Sequence, residues 1–289
     1  MNLIQFTSGN RLSYAILNKI LNWFYNCKND FDKKFRDYGY ENVNLKSLNT
    51  ISLIKKEIDL QKDDNQTSLL KFEINNNLFN LLSKLISEQK DLIKNLREFY
   101  SCPIVVSNIE LKRTKYLDKS VEINKNVYSE NYHIDKYLNT HVKQFIYLTD
   151  VDEKSGPFTY IDKKDTKKFI TKYKYKNRFS INVNESQNLE KKEFEKKYIG
   201  KMGSSLVVNT TECLHRAGIP IKGNFRDIIT ITYVASPEAK YRNEKHFIEK
   251  FGIDFFKEEN NFSKKLAKPN SKKEIIIFLL KYLKFKYFN

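Results

Sequence analysis

A mainly β fold, a sandwich or barrel with helical additions at both ends, is what this sequence predicts, and three observations carry it. After Pro103 the chain breaks into short runs rich in β-branched and aromatic residues, at 104–117, 127–134, 141–151, 157–161, 204–209 and 225–234. Gly156, Gly203, Gly218 and Gly223 punctuate these runs, and no helices alternate with them as a parallel α/β sheet would need. On both sides of this region the texture is helical instead.

On the N-terminal side, Leu78, Leu81, Leu82, Leu85, Ile86, Leu92, Ile93, Leu96 and Phe99 recur at spacings of three and four, which predicts one amphipathic helix of several turns. Leu17, Ile20, Leu21 and Phe24 give a weaker helical pattern, and the Lys/Asp/Asn-rich stretch 56–66 reads as a loop. Helical patterning returns after Pro237, over 247–256 and 272–285. The chain of 289 residues is read as a single domain: 1–100 mostly helical support, 101–236 the β core, and 237–289 a helical C-terminal region. The Lys-rich interval 163–201 reads as an insertion, a lid over a barrel mouth. No internal repeat is visible.

Composition sets the class. Hydrophobic residues make up 40% and charged residues 30%, the balance of a packed globular protein and not of a membrane-embedded one. The most apolar window, 275–285, is interrupted by Lys281 and Lys284 and is too short to span a bilayer, which leaves a packed terminal helix or peripheral membrane contact. A net charge of +17 suggests an anionic partner, but the excess is dispersed Lys in an Asn- and Ile-rich background, so nucleic acid is disfavoured. Cys27, Cys102 and Cys213 are odd in number and far apart, without a CxxC pair, so neither a disulfide framework nor a zinc ribbon is expected. With no secretory h-region at the N-terminus, a cytoplasmic protein is expected.

The chemistry concentrates in a few polar residues. The chain has four His, and His133 with Asp135 forms a His-x-Asp pair where a strand is expected, so both side chains project to one side. A second segment, from Gly203, runs through a strand and a turn to His215, 80 residues beyond Asp135, and Arg226 follows 11 residues later at the start of an apolar strand. Two His and one carboxylate make the facial set that leaves open positions on iron for a chelating 2-oxo acid and for O2. Such a chelate needs its far carboxylate clamped, and Arg offers a planar, bidentate and permanently charged partner.

At these residues the sequence resembles the phytanoyl-CoA dioxygenase family of iron(II)/2-oxoglutarate-dependent oxygenases. The resemblance rests on His133-Ile-Asp135, the run from Lys143 to Phe158 with its Ser-Gly-Pro, Gly203, His215-Arg-Ala-Gly218 and Arg226, and covers about residues 120 to 236. It implies a double-stranded β-helix, the jelly-roll or cupin-like core, with the site at its mouth. It also implies that His133, Asp135 and His215 bind Fe(II) as the catalytic metal set and that Arg226 binds the distal carboxylate of 2-oxoglutarate. The expected reaction is hydroxylation or desaturation of a small molecule with O2, giving succinate and CO2. Related halogenases carry a small residue where Asp135 stands, so chlorination is not expected.

The sequence departs from the family in two places. Ala217 stands where relatives often place a Ser that helps hold the distal carboxylate, which leaves Thr230 or Thr232 as candidate helpers. The aromatic-rich substrate segment near the His-x-Asp pair is not recognisable, so the substrate is open. Lys143 and Tyr147 share a strand face and are either 2-oxoglutarate contacts or ordinary core and rim residues. Asp150 and Asp152 read as turn residues, His141 as a strand His, His246 as a helix-surface His, and Cys213 as a small apolar neighbour of the site. Two other readings compete: a nucleic-acid demethylase on the same chemistry, lacking here the second Arg such enzymes carry, and a non-catalytic jelly-roll binding module.

Overall fold

The computed structural model describes residues 30–61, 67–100, 104–116, 132–135, 141–172, 194–235 and 280. In chain order these form α1 (Asp30–Tyr38), β1 (Tyr40–Val43), α2 (Leu48–Asp59), β2 (Leu69–Lys71), α3 (Asn76–Ser87), α4 (Lys90–Tyr100), β3 (Ile104–Lys115), β4 (His141–Tyr147), β5 (Phe158–Tyr160), α5 (Lys163–Lys172), β6 (Lys196–Tyr198), β7 (Ser205–Val208), β8 (His215–Arg216) and β9 (Phe225–Ala235). The strands make two antiparallel sheets: a six-stranded one in the order β1-β7-β4-β9-β3-β2 and a three-stranded one in the order β6-β5-β8.

Strand alternation sorts the side chains of the large sheet into two cores. On β4 and β9, Val142, Ile146, Ile229, Ile231 and Tyr233 face the helices, where they pack with Ile51, Ile54, Leu78, Leu82, Leu96 and Phe99. Phe145, Tyr147 and Ile228 face the other way, against Phe158, Tyr160 and Tyr198 of the small sheet. The Phe145 and Phe158 rings stack across the gap with centroids 4.1 Å apart, and Tyr147 stacks on Tyr198 at 4.9 Å. Sheet on sheet with helices outside one face is thus the architecture, and the gap between the sheets is where the polar residues of interest point.

The pattern on α3 and α4 explains one departure from the sequence reading. The helix expected to run unbroken through Leu78 and Phe99 is two helices, α3 and α4, separated at Glu88 and Gln89. The break lets the buried Gln89 side chain meet Gln144 of β4, whose amide also bonds Ser205 Oγ at 2.8 Å and accepts from the Tyr233 hydroxyl at 2.9 Å. A buried amide without such partners costs more than a helix interruption, so the polar network wins.

Two further expectations are corrected and one is filled out. The loop expected over 56–66 begins later, because α2 runs to Asp59 and buries Ile58. The region 1–100 contributes strands as well as helices: β1 pairs with β7 and β2 with β3, extending the large sheet at both edges, and strands of four and three residues are too short to show a period. The interval 163–201 is not wholly an insertion, since α5 buries Thr166 and Phe169 and β6 is a strand of the small sheet. The patterns at 17–24, 247–256 and 272–285 and most of the run at 127–134 lie outside the described residues, as does His246.

Candidate metal centre

His133 and His215 come together through backbone pairing. Each donates its N–H to the other's carbonyl at 3.0 Å, so the two residues are a directly opposed antiparallel pair whose side chains emerge on one face. Their ring centroids are 4.3 Å apart. A slip of one residue would place Leu214 or Arg216 opposite His133 instead, so register alone brings the two imidazoles together. Asp135, two residues on, is held by its own N–H to Thr210 O at 2.9 Å, and its carboxylate turns toward both rings. Asp135 Oδ1 lies 3.8 Å from His133 Nε2 and 3.7 Å from His215 Nε2. The three ligand atoms lie within 4.8 Å of one another, the one such His/Cys/Asp/Glu group among the described residues.

The protonation states suit a cation. His215 Nδ1 donates to Cys213 O at 3.0 Å, which fixes the tautomer and leaves the Nε2 lone pair toward Asp135. Burial, and then the neighbouring His133, pull the His215 imidazole down to about 3, so it is neutral and electron-donating at ordinary pH. Burial pushes the Asp135 carboxyl up, but the opposing charges, the Lys143 ammonium at 2.6 Å foremost, hold the group well below the usual carboxylate range. A neutral His215 imidazole and an ionised Asp135 carboxylate, with the His133 ring beside them, are the residue types that two-His, one-carboxylate iron sites use.

Behind His133 and His215, further contacts tie their two segments together. Tyr132 and Arg216 point away from the centre, and Glu195, just before β6, accepts from both: from the Tyr132 hydroxyl and from Arg216 Nη2 at 3.4 Å. The Arg216 guanidinium also lies 4.9 Å over the Tyr132 ring. Glu195 therefore ties the residue before His133 to the residue after His215. Cys213 turns away: its buried thiol lies 3.5 Å from Tyr38 O and 3.6 Å from Gly39 O, and burial pushes its pKa up, so it is an inert packing group.

Arg226 is buried on the same inter-sheet side as Ile228. Its Nη2 bonds Thr114 Oγ1 at 3.4 Å, while Nε and Nη1 are buried with no hydrogen-bond partner among the described residues. No carboxylate faces this guanidinium among the described ion pairs, and burial pulls its pKa down. A buried, uncompensated cation with two idle donors is costly unless an anion completes it. Thr114 is the cross-strand partner of Arg226 in the β3–β9 register. Sequence reasoning missed it because pairing between strands more than a hundred residues apart leaves no local signal.

The other candidates fall at different depths on the same face. Lys143, opposite Thr232, sends its ammonium to Asp135 Oδ2 at 2.6 Å. Tyr147, opposite Ile228, has its hydroxyl committed: it donates to Tyr198 O at 2.5 Å and accepts from Phe158 N at 3.1 Å, and burial raises it to about 12 despite Arg226 nearby. Thr230 and Thr232 are buried but four and six residues along β9 from Arg226, roughly 13 and 20 Å at strand rise, so they belong to the metal end of the face and not to the Arg226 end. Asp152 caps its own turn through Ser155 and Lys154, and Asp150 pairs with Lys201.

No family model and no curated protein matches the chain. Among solved structures, HygX from Streptomyces hygroscopicus with nickel and 2-oxoglutarate bound is similar at a TM-score of 0.49 and 12% identity, covering 75% of this chain and 95% of that one. The epimerase SnoN of nogalamycin biosynthesis is similar at a TM-score of 0.46 and 9% identity, covering 77% and 84% of the two chains. ThoJ, a non-heme monooxygenase, is similar at a TM-score of 0.47 and 11% identity, covering 72% and 78%.

Proposed function

We propose that this protein is a non-haem iron(II), 2-oxoglutarate-dependent dioxygenase on a double-stranded β-helix, resembling the phytanoyl-CoA dioxygenase family, that hydroxylates or desaturates a small molecule. The observation that carries the reading is the pairing of two features on the inter-sheet side of one fold: the converging His133, Asp135 and His215, and the buried Arg226 with two donors and no anion. A binding module has no use for both.

On this reading His133 Nε2, His215 Nε2 and Asp135 Oδ1 hold the iron, and Arg226 holds the distal carboxylate of 2-oxoglutarate. Thr114, on the same rung as Arg226, replaces the hydroxyl that Ala217 does not supply. Bound iron, with 2-oxoglutarate and O2, supplies the oxidising power, and succinate and CO2 are the co-products. The chain fixes ligand geometry through the His133–His215 backbone pair and keeps the far end dry with Phe145, Phe158 and Ile228. Its own residues are expected to aim the substrate, whose identity the fold does not specify.

The test is succinate release from 2-oxoglutarate by the full chain with Fe(II) and O2, against the same protein carrying Asp135→Ala. Succinate from the former alone supports the reading. Metal binding without 2-oxoglutarate turnover, in the presence of a broad metabolite extract, leaves a binding module instead.

A further inference from the structure

Asp135 offers its two oxygens to different partners. Oδ1 faces the two imidazoles, at 3.8 and 3.7 Å, whereas Oδ2 is 2.6 Å from Lys143 Nζ. The ammonium comes from the other sheet. Lys143 sits on β4 with Val208 of β7 opposite on one side and Thr232 of β9 on the other, so its backbone is fixed by two ladders. The side chains of Lys143 and Asp135 are 22% and 12% exposed, which keeps this ion pair largely out of competing water.

We propose, resting on the reading that His133, Asp135 and His215 hold a divalent ion, that Lys143 is a positioning residue which reserves Asp135 Oδ2 and so limits the carboxylate to one metal-ligating oxygen. A carboxylate with both oxygens free can close on an ion with both, and the second oxygen takes a coordination position. With Oδ2 held, three positions stay open, the number needed for a chelating 2-oxo acid plus O2. The ammonium also opposes the ion's charge and favours an anionic cosubstrate close by. Lys143 thus acts on 2-oxoglutarate through Asp135 and through its field.

A merely structural ion pair between the sheets makes a different forecast. Its loss would loosen Asp135 and weaken metal binding, as removal of outer partners of ligands usually does. Reservation of Oδ2 forecasts the reverse: removing the ammonium lets Asp135 take the ion with both oxygens, so the metal binds more tightly and the chelating cosubstrate less tightly.

The experiment uses the full chain with Co(II), followed by calorimetry and by the visible ligand-field spectrum, then titration of the Co(II) form with 2-oxoglutarate. Lys143→Met is expected to bind Co(II) about tenfold more tightly, with an altered spectrum, and 2-oxoglutarate about tenfold more weakly, while Lys143→Arg stays near wild type on both. Weaker or unchanged Co(II) affinity in Lys143→Met overturns the proposal. Thermal unfolding checks the fold, and Lys143→Gln carries the same expectation if Lys143→Met does not fold. Asp135→Ala separates the two levels: if it binds Co(II) as wild type does, or if wild type binds none, the metal-site reading itself fails whatever Lys143 does.

Discussion

Thr114 and Arg226 face each other across β3 and β9, and the Thr114 hydroxyl accepts a hydrogen bond from Arg226 Nη2 at 3.4 Å. With that lone pair occupied, the hydroxyl proton is free to donate to an anion bound by the guanidinium. Thr114→Val keeps the shape and removes the donor. It is expected to weaken 2-oxoglutarate binding about tenfold, in the range of one hydrogen bond to a charged group, with metal affinity unchanged. Calorimetric titration with 2-oxoglutarate checks both.

Arg226 is buried without a compensating anion, so it should strain the ligand-free fold. Arg226→Met replaces it by an apolar chain of similar length. The ligand-free variant is expected to melt at a higher temperature than wild type and to lose the thermal stabilisation that 2-oxoglutarate gives wild type. Arg226→Lys keeps the charge without the planar fork, and should lower 2-oxoglutarate affinity while leaving Co(II) affinity in place. A lower melting temperature in Arg226→Met would mark Arg226 as structural.

Metal should stabilise the fold through the three ligands. At a concentration about 100 times its dissociation constant, a divalent ion contributes about 2.7 kcal/mol. Differential scanning calorimetry is expected to show this shift in wild type, its reversal by chelator, and its absence in His215→Ala and Asp135→Ala.

Glu195 joins the residue before His133 to the residue after His215. Glu195→Ala leaves the Tyr132 hydroxyl and the Arg216 guanidinium without that partner, so the ligand segments should lose their mutual support. Metal affinity is expected to fall about tenfold or more with the three ligands intact. Unchanged Co(II) binding in a folded Glu195→Ala would show that the backbone pair alone suffices.

Gly156 and Gly218 pack backbone on backbone between the turn before β5 and the loop after His215. Gly156 has φ +68, and a Cβ there would lie 2.5 Å from Pro220 N, while a Cβ on Gly218 would lie 2.4 Å from Pro157 O. Gly156→Ala combines left-handed strain with overpacking and is expected to cost about 3 kcal/mol, read by denaturant unfolding. Gly223, also at positive φ but with nothing within 4 Å, should tolerate Ala at about 1 kcal/mol.

The sequence by itself determined the class of the fold and which polar residues are candidates for its chemistry. Short runs of β-branched and aromatic residues marked β3, β4, β5, β7 and β9, because strands buried on two faces carry such residues whatever their partners. The His-x-Asp spacing put two donors on one side of a segment, and Arg226 stood out as a lone Arg before an apolar strand. Tertiary structure alone decided the rest. That His215 pairs with His133, that Thr114 lies opposite Arg226 where Thr230 and Thr232 do not, and that Lys143 reaches Asp135 from the other sheet all depend on register between distant strands. The short strands β1 and β2 and the break between α3 and α4 escaped for a related reason: three or four residues hold no period, and Gln89 interrupts its helix only because Gln144 waits across the core. Local sequence encodes which face a residue takes; which residue it meets there is set by strand pairing, whose hydrogen bonds are made by backbone groups that every residue shares.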